Sequence, residues 1–153
     1  MLTINNLREF TTEIKAVVEK VNTVAVVVDD SQFVKLLSDI SVNDNFMFIA
    51  VVPQYPLNGN DDQYKWNNQL QFFLLKKSTD RNNNLSNLLD NLNETQEVMN
   101  EIITIMLSEK IGADNQICKL SNELVPGSLM VQPVWEKAQC NGWVLELDLL
   151  TKV

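Results

Sequence analysis

The sequence predicts an α+β fold, a mostly antiparallel sheet of about four to five strands with helices packed on one face. Three observations carry that expectation. Residues 64–77 alternate apolar and polar side chains with the period of a half-buried strand, directly after a second strand-like run. Residues 85–107 instead set leucine, isoleucine and methionine at helical spacing along one stripe. Taken together, the segments run α-β-α-β-β-α-β-β, with hairpins linked through crossing helices.

The first element is an amphipathic helix. "NNLREFTTEIKAVVEKV" places Leu7, Phe10, Ile14, Val17, Val18 and Val21 on one face, and Asn6 with Glu9 reads as a capping box at its start. "TVAVVVDD" follows as a β-branched strand. Ser31, or Asp30 beside it, then caps a short helix carrying Phe33, Val34, Leu36, Leu37 and Ile40. "NFMFIAVVP" is a strand apolar on both faces until Pro53 ends ladder donation.

A polar turn, "QYPLNGNDDQ", leads back into Tyr64, Trp66, Leu70, Phe72 and Leu74, which alternate with Lys65, Asn67, Gln69 and Gln71. Residues 54–66 thus read as a projecting hairpin tip with a buried root. The long helix stripe is Leu85, Leu88, Leu89, Leu92, Gln96, Met99, Ile102, Ile103, Met106 and Leu107, with Gly112 placed as a helix stop. A short strand at Cys118 and a closing hairpin turning at Asn141-Gly142 complete the chain. In its last strand Trp143, Leu145, Leu147 and Leu149 face away from Glu146 and Asp148.

At 153 residues the chain suits a single domain, 1–153. Its net charge of −8 gives no electrostatic footprint for nucleic-acid binding. The start "MLTINNLREF" lacks the basic and apolar regions of a signal peptide, and no apolar run is long enough to span a bilayer. A soluble cytoplasmic product with no membrane partner is the expectation. Cys118 and Cys140 lack C-x-x-C spacing and read as free thiols, although spacing alone leaves a disulfide between them open.

Chemistry is sparse. The chain has no histidine, so Ser-His-Asp and Cys-His arrangements cannot exist. Its four glycines are isolated, and none builds a phosphate-binding loop. Asp29-Asp30 at a strand end is the best carboxylate pair for a divalent cation, but a helix cap explains the same residues more simply. Asp61-Asp62 reads as solvated. The Met99–Met106 stripe reads as core rather than as a binding groove. No catalytic residue, cofactor or metal ligand is assigned, and the chain is expected not to be an enzyme. Tyr55, Leu57, Tyr64, Trp66 and Trp135 are the candidate residues for a protein interface, against the plainer reading that each packs across its own hairpin.

The layout resembles the tail terminator or tail-completion proteins of tailed bacteriophages and related contractile injection machines. The likeness rests on the opening helix, the hairpin "NFMFIAVVP…QLQFFLLKK", the long helix "LLDNLNETQEVMNEIITIMLSEK", and the close "VQPVWEKAQCNGWVLELDLLT", where Gly-Trp leads into a last strand. It spans most of the chain and is architectural rather than motif-based. It implies a non-enzymatic virion protein forming a ring, commonly hexameric, at the head-proximal end of a tail. Such a ring caps the tube, contacts tube, sheath or neck proteins, and lets DNA pass only as cargo. Six copies at −8 would bring about −48 around that lumen, a field that repels passing DNA rather than holding it. The alternative is a cytoplasmic adaptor or chaperone-like module that holds one partner peptide against its sheet.

Overall fold

The structure is a computed structural model and describes residues 1–41, 46–59, 63–77, 85–110 and 124–153. Helix α1 (Ile4–Val17) leads to β1 (Thr23–Val27), α2 (Asp30–Asp39) and β2 (Met47–Gln54). A two-residue strand β3 (Leu57–Asn58) precedes β4 (Lys65–Lys77), then come α3 (Leu85–Lys110), a 3-10 turn at Pro126–Ser128, β5 (Met130–Lys137) and β6 (Cys140–Lys152). The six-stranded sheet has the order β1-β2-β4-β6-β5, and β3 adds to β4 beyond the end of β2. Among the described residues β1 and β2 run parallel and every other pair is antiparallel. This is the α+β fold that the sequence predicts. Gly112, Cys118 and Asp61-Asp62 lie outside the described residues.

Alternation along the strands builds two cores. Phe48 and Ala50 of β2, Leu70, Phe72 and Leu74 of β4, and Leu145, Leu147 and Leu149 of β6 form one face. Against it pack Leu7, Phe10 and Ile14 of α1 and Val98, Met99 and Ile102 of α3. Phe10 meets the Phe48 ring edge-on at 6.0 Å and Phe72 at 5.1 Å, while Phe48 and Phe72 stack at 5.4 Å. Burying such rings is the largest hydrophobic contribution a residue makes.

Met47, Ile49 and Leu75 point the other way and meet Phe33 and Leu37 of α2. The single helical face therefore holds for α1 and α3, whereas α2 covers part of the opposite face. α2 is the crossover of the parallel pair β1 and β2, and the handedness of such a connection sets the face it packs on; there Phe33 and Leu37 are buried and Val34 is exposed.

Local signals depart from expectation at several points. α1 starts at Ile4, and its cap is Thr3, whose hydroxyl accepts from the Asn6 N–H; Asn6 is inside the helix rather than its cap. Val17 is exposed, while Val18 and Val21 continue the buried face past the helix end. α2 is capped by Asp29, not by Asp30 or Ser31, because the Asp29 carboxylate reaches the Gln32 N–H at 2.8 Å. In α3 the buried stripe is Thr95, Val98, Met99, Ile102 and Met106; Gln96, Leu85 and Leu89 are exposed. Thr95 is buried without penalty because its hydroxyl donates to the Asn91 carbonyl at 2.8 Å.

Asn68 is the buried polar centre of the sheet. Its side chain accepts from the Leu2 N–H at 2.7 Å and donates to the Leu149 carbonyl at 2.6 Å, tying the N-terminus to β4 and β6.

Candidate assembly surface

The hairpin β3–β4 places Leu57 opposite Trp66, and the Asn67 N–H donates to the Pro56 carbonyl at 2.9 Å. Gly59 pinches this turn: with φ at +136°, a Cβ there would lie 2.1 Å from the Gln63 carbonyl oxygen. Leu57 and Tyr64 remain 48% and 47% exposed. Tyr55 and Trp66 do not stand free. Tyr55 is half-buried against the main core, and burial raises its phenol pKa; Trp66 is half-buried in β4. Of the aromatic residues of 54–66, Tyr64 is thus the exposed one, while Tyr55 and Trp66 are half-buried.

Trp135 sits near the other end of the strands, on the outermost strand β5, and is 64% exposed. The closing hairpin turns at Ala138-Gln139, not at Asn141-Gly142. Ala138 and Gln139 take φ of 50° and 66°, and Glu136 takes 52° at a bulge between Val134 and Lys137. Non-glycine residues seldom adopt these angles. Here the Asn141 side chain accepts from the Glu136 N–H at 2.8 Å and so holds the bulge. Gly142 has a different task, since a Cβ on it would lie 2.0 Å from the Leu74 carbonyl oxygen. Lys137 fixes the same corner, reaching Asp30 at 2.7 Å and lying 4.4 Å from the Phe33 ring centre.

Beyond α2, among the described residues, no helix covers the second face of the sheet. A concavity of about 590 Å³ opens there, lined by Pro53, Gln54, Gln69, Gln71, Met130, Glu146 and Asp148 among others. The Gln71 side chain donates to Glu146 at 2.7 Å, spanning two strands. The floor is amide and carboxylate, suited to hydrogen bonding with a polypeptide. Asp29 and Asp30 lie apart from it and are engaged: the Gln32 N–H and the Ser31 hydroxyl hold the Asp29 carboxyl below its ordinary pKa, and Asp30 pairs with Lys137. Among the described residues no group of histidine, cysteine, aspartate and glutamate gathers as a metal site.

Neither family models nor curated proteins match the chain.

Of the five candidate interface residues, the structure leaves Leu57, Tyr64 and Trp135 exposed, in two separate places. Sequence reasoning missed Met130 and Val28, which are also exposed, and the concavity between them. The signal for Met130 was its place in a strand with Pro133, which marks an edge.

Proposed function

We propose that this chain is a non-enzymatic structural subunit that joins copies of itself head to tail into a ring at the head-proximal end of a phage tail. The observation that carries the reading is that, among the exposed apolar side chains, several lie at separate places around the sheet. Leu57 and Tyr64 lie at one end of the strands, Met130 and Trp135 on β5, and Val28 beside the opposite edge. Apolar residues at different places on one molecule suit heterologous contacts, which give a ring when the rotation between copies closes. The resemblance to tail terminators supplies the setting, and the hairpin carrying Leu57 and Tyr64 is assigned to the tube or neck. Changing Leu57 and Tyr64 together to serine should leave the circular dichroism spectrum intact and abolish joining to tails that lack this chain. A variant that still joins them would overturn the assignment.

The concavity over Gln69, Gln71 and Glu146 favours one second reading, an adaptor that holds a partner peptide. A stable monomer or dimer that binds such a peptide there would select it over the ring.

A further inference from the structure

The two edges of the sheet differ in a way that bears on how copies would meet. β1 is an edge strand that carries neither charge nor proline: 21–28 reads VNTVAVVV. Thr23 through Val26 are all half-buried, and Val28 is 61% exposed. The Thr23 N–H donates to the Phe46 carbonyl at 3.2 Å, so Thr23, Ala25 and Val27 direct their backbone groups to β2. Val24 and Val26 therefore direct theirs outward, and among the described residues no strand pairs with them. The next outward N–H, that of Val28, is already taken by Gln32 at 3.0 Å.

The β5 edge can be worked out the same way. The backbone N–H and C=O of Asp148 face the β5 side, bonding the Ser128 hydroxyl at 2.8 Å and the Val125 N–H at 3.0 Å. By alternation Glu146, Val144 and Gly142 pair with Met130, Gln132 and Val134, which leaves Val131 and Pro133 facing outward. Past them the bulge at Glu136 ends regular geometry. Residues 130–135 carry no charge either. In a chain of net charge −8, these edges are uncharged surfaces through which copies can meet without opposing carboxylates.

We propose that β1 of one copy pairs antiparallel with β5 of the next, continuing the sheet from subunit to subunit. β1 and β5 run in opposite directions within one chain, so a neighbour of the same orientation presents an antiparallel partner. The regular outward positions match in one register, Val26 opposite Val131 and Val24 opposite Pro133. Pro133 lacks an N–H but still accepts through its carbonyl, so one bond of the ladder is lost. On the α1 face this sets Val24 and Val26 against Val131 and Pro133, with Trp135 two positions further along the same edge. On the other face Ala25 meets Gln132 and Val27 meets Met130. The contact is heterologous. It deepens the ring reading and rests on it for closure.

The test uses the full chain with Cys118→Ser, keeping the buried Cys140. Ala25→Cys and Gln132→Cys together place thiols on facing positions of adjacent copies, where antiparallel Cα atoms are about 4.5 Å apart. Mild oxidation should give a ladder of covalent multimers on a non-reducing gel, while Ala25→Cys alone gives none. Light scattering on the unoxidised protein is measured alongside. An oligomer by scattering that yields no ladder overturns the edge contact and leaves the ring reading standing. A covalent dimer from Ala25→Cys alone shows β1 pairing with β1 and overturns the proposal. A monomer without cross-links overturns both contact and ring.

Discussion

Asn67 and Asn68 are neighbours in β4, both buried, yet their replacement should have different consequences. Asn68 satisfies the Leu2 N–H and the Leu149 carbonyl. Changing it to leucine leaves the Leu2 N–H without a partner, at a cost of about 1–3 kcal/mol. The Leu149 carbonyl loses one bond, worth about 1 kcal/mol. A total of about 2–4 kcal/mol corresponds to a fall in Tm of roughly 5–15 °C for a domain of this size. Asn67 differs because its side-chain oxygen is buried with no hydrogen-bond partner among the described residues. Asn67→Leu removes a desolvated acceptor that gains nothing from its site, so its effect should stay within about 1 kcal/mol of neutral or be stabilising. Thermal melts followed by circular dichroism measure both. Equal losses in the two variants, or a tolerated Asn68→Leu, would refute the hydrogen-bond reasoning.

Two further outcomes follow from titratable groups. Burial pushes the Cys140 thiol from 9.0 up to about 11, against a smaller lowering by Lys77. A raised folded pKa contributes stability below the unfolded value and loses it as pH rises through the folded one. Stability should therefore decline between about pH 9 and 11, and Cys140→Ala should flatten that slope; an unchanged slope counts against it. Asp29, held below its ordinary value, works in the opposite sense: its cap is intact near neutral pH and lost as pH falls below about 4. Because Asp29 caps α2 and Asp30 pairs with Lys137, millimolar Mg²⁺ or Mn²⁺ should leave Tm unchanged, and a saturable rise would contradict that occupancy.

Long-range periodicity made the fold legible in the sequence. The alternation through Leu70, Phe72 and Leu74, and the stripe through Met99, Ile102 and Met106, each report a burial pattern that only one local structure satisfies. What the sequence did not show depends on contacts between distant residues. Asn141-Gly142 has the composition of a tight turn, but the glycine is needed where β6 crowds the Leu74 carbonyl, and the asparagine is used to hold a bulge. Left-handed Ala138 and Gln139 carry no composition signal. Asn68 looks like any surface asparagine until the N-terminus folds against it. The interface residues were half legible: aromatic character marked Tyr64 and Trp135, but it did not separate them from Tyr55, which packs against the main core, or from Trp66, which is half-buried in β4.

The ring itself is most directly tested by the native mass of the wild-type chain, measured by light scattering or native mass spectrometry across a dilution series. A ring requires a closed oligomer of one fixed stoichiometry, a whole multiple of 17.4 kDa greater than two, persisting as the protein is diluted. A monomer or dimer at every concentration, including in the presence of assembled tails, would contradict it.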